Sequence, residues 1–182
     1  MKYIKSFLIY ICLLFPLTGI AQKKQLQTVR DQIKSGKELM KAENTLRGLL
    51  VDSVSKKNNK IWLLLCDALT KQYEQGNEKL YLKQKYDTAA FFSVTRRLYD
   101  TMSRFDSLDA KPDAEGRVRA KYRTKHAEFL NSIRPNLFNG GSYFIHKKDY
   151  NTAFDYYSDY LESANYPLFE GYDYMQKDAL IP

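Results

Sequence analysis

The stretch from Arg134 to Pro167 constrains the fold of this chain more than any other part of the sequence. Read as a helix from about Asn136 to Lys147, it brings residues at i, i+4 and i+7 to one face, namely Leu137, Gly141 and Phe144. A turn follows at residues 148–149. A second helix from about Asn151 has an inner face formed by Ala153, Tyr157 and either Tyr160 or Leu161. Since small residues stand where two antiparallel helices would cross, the stretch predicts a closely packed helical hairpin.

This arrangement of small residues opposite large ones resembles the tetratricopeptide repeat (TPR), a helix-turn-helix unit of about 34 residues whose copies stack into a solenoid. Six residues stand at positions that this family uses for packing: Leu137, Gly141, Phe144, Tyr150, Ala153 and Tyr157. The pattern departs from the family where Tyr160 occupies the second small site and where Pro167 comes late. The resemblance implies an all-α fold, a TPR-like α-solenoid of about three antiparallel helical hairpins.

The chain before this stretch predicts the other two hairpins. In the first, a short helix ends near Gly36 and a second helix runs from about Lys37 to Val54. In the second, a helix from about Asn59 pairs with a helix from about Thr88 to Leu108. An interior glycine costs only about 1 kcal/mol relative to alanine, so the sequence leaves open whether the Asn59 helix stops at Gly76 or runs on.

A repeated motif supports the second hairpin. Tyr86-Asp87-Thr88-Ala89 has the same Tyr-x-x-Ala spacing as Tyr150-Asn151-Thr152-Ala153, and the two alanines are 64 residues apart. This distance is close to twice the TPR period of about 34 residues.

The remaining segments are a loop, a helix and a C-terminal tail. Residues 111–116 predict a loop, and Asp113 within it is a candidate start for the next helix, which is predicted to run to about Ser132. Pro135 then breaks or kinks the chain. After Pro167, either a short helix near Tyr172 to Ala179 covers the last hairpin or the array is truncated at its C-terminus. The lack of a polar closing helix favours truncation.

The N-terminus has the three-part layout of a secretory signal. Lys2 and Lys5 precede an apolar run of eleven residues from Phe7 to Leu17, and small residues stand before a cut after Ala21. This run is shorter than the about 20 residues of a transmembrane helix. We therefore predict a signal peptide over residues 1–21, a helical repeat domain over residues 22–182, and an exported protein that is periplasmic or associated with the cell envelope.

Charge divides the chain into a basic body and an acidic tip. Residues 23–134 carry 24 Lys or Arg against 14 Asp or Glu, whereas residues 135–182 carry 3 against 7. In a cytoplasmic protein such a basic body would indicate nucleic acid, but an exported chain seldom meets it. An acidic partner protein, an anionic glycan or an envelope surface fits the charge better.

The sequence offers no recognisable catalytic or metal-binding constellation. Cys66 lies in an apolar run, which predicts a small buried side chain. His126 and His146 stand apart from any ligand-spaced cluster. The last helix carries an acidic stripe, predicted to be a solvated face, made of Asp155, Asp159 and Glu162. We therefore predict a protein that is not an enzyme and holds neither a metal nor a cofactor.

Aromatic residues are dense near the C-terminus, with eleven Tyr or Phe between Tyr143 and Tyr174. Tyr156 is predicted to point away from the inner stripe of its helix, where it could stack on a peptide or a sugar. The TPR resemblance implies a ligand groove on the first helices, lined in this unit by Phe138, Ser142, Ile145 and His146. The first hypothesis is a non-catalytic scaffold that binds a protein or peptide through this groove. The alternative is a module that binds a glycan or an anionic envelope surface.

Overall fold

The computed structural model describes residues 21–178, and within them the fold is all-α, with no strand. The helices are α1 (residues 21–35), α2 (Leu39–Leu49), α3 (Asn59–Tyr81), α4 (Thr88–Asp109), α5 (Arg123–Ile133), α6 (Pro135–His146), α7 (Tyr150–Ser163) and α8 (Tyr174–Asp178). Short 3₁₀ turns occupy Ser55–Lys57 and Pro167–Phe169. The all-α prediction is confirmed. The predicted signal peptide, residues 1–21, lies outside the described residues except for its last one.

The chain divides into two compact units, and the boundary falls inside α3 between Ala68 and Leu69. The core of the N-terminal unit is formed by side chains from its three helices, among them Val29, Leu39, Ala42, Leu46, Ile61 and Leu65. This core is built from the hydrophobic stripes that the sequence predicts for this part of the chain.

The two predicted helix ends of the N-terminal unit have different outcomes. α1 ends before Gly36, which adopts a left-handed φ of 69°, as predicted. α2 ends at Leu49, so the prediction that it continues to Val54 is wrong. The Asp52 carboxylate accepts a hydrogen bond from the backbone N–H of Ser55 at 2.8 Å and stabilises a turn there.

α3 runs through Gly76 to Tyr81, which answers the question that the sequence leaves open. A Cβ at residue 76 would lie 2.8 Å from the ring of Tyr86. This glycine therefore makes room for an aromatic ring and does not end the helix.

Asp87, the residue after Tyr86, caps α4. Its carboxylate accepts hydrogen bonds from two backbone N–H groups of the first turn.

The two Tyr-x-x-Ala motifs occupy different positions relative to their helices. Tyr86 precedes the residue that caps α4, whereas Tyr150 follows the residue that caps α7. Ala153 is fully buried, but Ala89 is only half-buried. The two alanines, 64 residues apart, therefore do not occupy equivalent positions in their helices.

The helix predicted to start at Asp113 starts at Arg123 instead. Residues 110–122 form a loop in which the Asp113 carboxylate accepts hydrogen bonds from the backbone N–H groups of Glu115 and Arg117. These local bonds compete with helix formation. Pro135 then stands at the first position of α6 and separates it from α5, as predicted.

α6 and α7 form the predicted antiparallel hairpin. In the turn between them, Lys148 has a φ of 60°, and the Asp149 carboxylate accepts a hydrogen bond from a backbone N–H in the first turn of α7. α4 packs along one side of this hairpin. The ring of Phe92 lies 5.7 Å from that of Tyr143 and 6.4 Å from that of Tyr156, measured between centroids.

The segment after α7 folds back onto α4 and α5. The ring of Phe169 packs on that of Tyr99 at a centroid distance of 6.1 Å. The guanidinium of Arg134 lies between the rings of Tyr160 and Tyr174, 3.9 and 4.0 Å from their centroids. A short helix, α8, stands close to where one of the two alternatives for this segment places it, from Tyr172 to Ala179, and Ala179 lies outside the described residues.

Candidate interaction surface on the α6–α7 hairpin

Two adjacent glycines let α6 and α7 approach each other closely. A Cβ at Gly140 would lie 2.6 Å from the ring of Tyr156, and a Cβ at Gly141 would lie 2.6 Å from the ring of Tyr157. Ala153 is fully buried. Gly141 and Ala153 are among the predicted packing residues, and Gly140, which makes the same kind of contact as Gly141, is not.

Tyr156 is a core residue, so the prediction that it points away from the inner stripe is wrong. Its side chain is only 2% exposed, and its ring stacks on that of Phe144 at 5.3 Å. The guanidinium carbon of Arg96 lies 4.8 Å from the centroid of the same ring. Burial raises the pKa of the Tyr156 hydroxyl to about 12. The prediction fails because α7 packs against two helices, α6 and α4, and therefore has two buried faces. The predicted single stripe describes only one buried face.

Arg96 of α4 also binds part of the predicted acidic stripe. It forms ion pairs with Asp159 and, at 3.6 Å, with Asp155. The solvated-face prediction is therefore wrong for Asp159, which is partly covered, while Glu162 is exposed as predicted. These ion pairs fasten one side of α7 to α4.

The side of the hairpin that faces away from α4 is apolar and exposed. We call it the hairpin seam, and its members are Phe138 and Ile145 of α6 and Tyr150, Phe154, Tyr157 and Leu161 of α7. The α7 members stand at i, i+4, i+7 and i+11 and therefore share one face of the helix. The side chains of Phe154 and Leu161 are 71% and 61% exposed. Large apolar side chains in such a row are typical of an interaction surface.

The centre of the seam is held in place by contacts between the two helices. The ring of Phe138 lies 5.2 Å from that of Tyr157 and 5.8 Å from that of Tyr160. The hydroxyl groups of Tyr157 and Ser142 are 3.0 Å apart and share a hydrogen bond. Contacts within the hairpin thus fix the side chains at the centre of the seam.

The four predicted groove residues stand at i, i+4, i+7 and i+8 of α6 and share one face of this helix, and their role as a ligand groove stays a prediction. Phe138 and Ile145 belong to the seam and are about half exposed. Ser142 lies at its margin, where its hydroxyl donates to the carbonyl of Phe138. His146 is exposed at the C-terminal end of α6.

The six predicted repeat-packing residues are mostly internal. Leu137, Gly141 and Ala153 are buried, and Phe144 and Tyr157 are half-buried. Tyr150, the sixth, is exposed instead, because it is the first residue of α7 and the chain turns immediately before it. Of the two open alternatives on α7, Tyr160 packs inward and Leu161 faces outward.

The seam residues Phe154 and Leu161 are missing from the predicted groove. A sequence signal for them exists in the four-three-four spacing of Tyr150, Phe154, Tyr157 and Leu161. It is obscured because the same helix carries a second set of aromatic residues that face the core.

Two other chemically notable side chains are buried. Cys66 is buried as predicted, and desolvation raises the pKa of its thiol. His126 packs on the rings of Phe105 and Tyr122, and its Nδ1 has no hydrogen-bond partner. Burial, reinforced by Lys125, lowers the pKa of this imidazole.

Residues 21–178 contain no helix with both the length and the apolar character to cross a membrane. In the same part of the chain, no group of three or more His, Cys, Asp or Glu side chains is arranged to hold a metal ion. Comparisons with protein-family models, curated proteins and solved structures find no significant match to this chain.

Proposed function

We propose that this chain is a non-catalytic interaction module and that the hairpin seam holds a helical segment of a partner protein. The observation that carries the proposal is the exposed row of Tyr150, Phe154, Tyr157 and Leu161 on α7. A spacing of four, three and four residues is the spacing of a coiled-coil seam, which packs against another helix. At 1.5 Å per residue the row is about 16 Å long, which matches about three turns of a bound helix.

The position of the seam supports the same proposal. α4 covers one side of the α6–α7 hairpin, and the seam lies on the other side, where the next helix of a solenoid would pack. The organisation as a TPR-like solenoid of about three hairpins remains part of the proposal. The location outside the cytoplasm, in the periplasm or cell envelope, is proposed from the predicted signal peptide.

The size of the seam sets the expected affinity. Fully burying one apolar side chain of this size contributes about 1.5–3 kcal/mol, and association itself costs several kcal/mol. A seam of six side chains, some of them already partly covered, therefore predicts reversible binding with a dissociation constant in the micromolar range.

A peptide-display selection tests this proposal. We expect the purified protein to enrich peptides with apolar residues at heptad spacing, and these peptides should lose binding to a Phe154→Ser/Leu161→Ser variant. Val118→Ser is the matched control, because Val118 is an exposed apolar residue in the loop before α5. Enriched peptides that bind the seam variant as well as the control would refute the proposal, and so would the absence of any enriched heptad pattern.

A further inference from the structure

The start of α1 lies beside the link between α2 and α3. The side-chain amide of Gln22 donates a hydrogen bond to the hydroxyl of the buried Ser55 at 2.9 Å. Ser55 opens the 3₁₀ turn of this link, and α3 begins two residues after that turn ends. Residues 21–24 and 50–60 therefore form one end of the N-terminal unit, which we call the basic end.

The basic end has an excess of positive charge. Its five lysines are all exposed, namely Lys23, Lys24, Lys56, Lys57 and Lys60. Within the described part of the chain, none of them forms an ion pair with a carboxylate. The one carboxylate of the basic end, that of Asp52, accepts hydrogen bonds from backbone N–H groups of its own turn. Five ammonium groups against one carboxylate give this end a positive potential.

Two aliphatic side chains of the basic end are exposed beside these lysines. Val51 and Val54 are 84% and 78% exposed. The backbone N–H of Lys57 donates to the carbonyl of Val54 at 3.1 Å, as in a 3₁₀ turn. Residues three apart in such a turn lie on the same side, so Val54 and Lys57 share one side of the link. Both valines lie almost entirely in solvent and are available for contact with a partner.

We propose that the basic end binds the surface of a lipid bilayer that contains anionic phospholipids. The lysines face the phosphate groups, and Val51 and Val54 enter the boundary between headgroups and acyl chains. Peripheral membrane binding of this kind combines burial of apolar surface with attraction to anionic lipids. The basic end and the hairpin seam share no residue, so the inference does not depend on the proposed function.

The valines favour a bilayer over a soluble anionic polymer. Lysines alone would suit the charged groups of a glycan or a nucleic acid equally well. Aliphatic side chains gain free energy only where they leave water, and the acyl boundary of a bilayer provides such an environment.

Charge supplies most of the expected affinity. A lysine near an anionic bilayer surface strengthens binding by about fivefold, so the loss of two lysines predicts binding that is about twentyfold weaker at low ionic strength. High salt reduces this effect because it screens the attraction. The valines enter only the boundary region, and their removal predicts a loss of about fivefold.

Vesicle binding of the full chain, followed through the fluorescence of Trp62, tests the inference. Trp62 is the one tryptophan of the sequence, and its indole N–H donates to the carbonyl of Lys56 at 2.9 Å, so it reports from the basic end. The vesicles contain either equal parts of phosphatidylglycerol and phosphatidylcholine or phosphatidylcholine alone, with a small fraction of lipid that carries a quenching nitroxide on its headgroup. We expect quenching on the anionic vesicles at much lower lipid concentrations than on the neutral ones.

Two pairs of lysines locate the contact. We expect Lys56→Gln/Lys57→Gln to need about twentyfold more anionic lipid for half-maximal quenching. Lys34→Gln/Lys37→Gln is the matched control, because it removes the same charge from exposed positions elsewhere in the N-terminal unit, and it should shift binding by less than about threefold. All variants keep the same N-terminus, so its apolar run contributes equally to each.

The valines have a control of their own. We expect Val51→Ser/Val54→Ser to need about fivefold more lipid. Val118→Ser, in the loop before α5, should leave the binding unchanged. All of these variants alter exposed side chains and keep the core intact.

Three results would overturn the inference. Equal quenching on anionic and neutral vesicles would exclude recognition of anionic lipid. Equal losses from the two lysine pairs would show attraction by net charge without a defined surface. Unchanged lipid binding in Val51→Ser/Val54→Ser, together with binding to dextran sulfate that Lys56→Gln/Lys57→Gln abolishes, would assign the basic end to a soluble anionic polymer. None of these results bears on the hairpin seam.

Discussion

The ring of Tyr156 lies so close to the backbone of Gly140 that a Cβ on residue 140 would be 2.6 Å from it. Real Cβ atoms do not come this near to other heavy atoms, so the two residues must be accommodated together. Tyr156 is enclosed by α4 and α6 and cannot swing aside. The contact fixes how closely α7 lies on α6.

This contact predicts that Gly140→Ala destabilises the fold. Alanine improves helix propensity by about 1 kcal/mol, but overpacking a filled core costs typically about 1–3 kcal/mol. We expect a net loss in the free energy of unfolding, measured by urea denaturation. Gly48→Ala is the control, because a Cβ at residue 48 of α2 meets nothing within 4 Å. Equal gains in stability for both variants would contradict the packing described for Tyr156.

Truncation of two aromatic residues of α7 that stand two positions apart should change the free energy of unfolding by very different amounts. Tyr156→Ala removes a buried ring and should lower the free energy of unfolding by about 3–5 kcal/mol. Phe154→Ala removes a ring that is mostly in solvent and should change it by less than about 0.5 kcal/mol. Thermal and urea unfolding of both variants check this. Similar losses for the two would show that the seam is covered in solution.

The buried His126 predicts a stability that depends on pH. Because burial lowers the pKa of the folded imidazole below its usual 6.5, the unfolded chain binds a proton more readily. His126 therefore does not lower the free energy of unfolding above a pH of about 6.5. As the pH falls below this value, protonation of the unfolded chain lowers the free energy of unfolding. Asp106 and Asp109 oppose the shift, and Lys125 adds to it.

Urea unfolding at pH 7.5 and pH 5.5 measures this effect. We expect His126→Gln to reduce the loss of stability between the two values, and His146→Gln, at an exposed position, to leave the loss unchanged. An unaltered pH dependence in His126→Gln would show that other groups cause it.

The sequence predicts the helical hairpin well because its signals are local. Asp149 caps α7, Pro135 starts α6, and the small residues Gly141 and Ala153 stand where the helices meet. Each of these features depends on residues close in sequence. The hairpin can therefore be deduced from spacing and residue size.

The sequence-based predictions are wrong where a contact with a distant residue, or a competing local hydrogen bond, determines burial or secondary structure. Tyr156 is buried by Phe92 and Arg96, residues about sixty positions earlier. Residues 110–122 stay out of a helix because the Asp113 side chain takes backbone N–H groups that a helix would use. The seam also depends on a distant contact. Which residues of α7 are exposed can be stated only when the face that packs against α4 is known.

The shared hydrogen bond between Ser142 and Tyr157, together with the ring of Phe138 against Tyr157, has a kinetic consequence. Side chains already fixed in place lose little conformational entropy when a partner arrives. Under the proposed function, association would therefore need no prior rearrangement of this hairpin and would proceed at ordinary protein encounter rates. Proposed partners that differ in how well they fill the seam would then differ mainly in their dissociation rates.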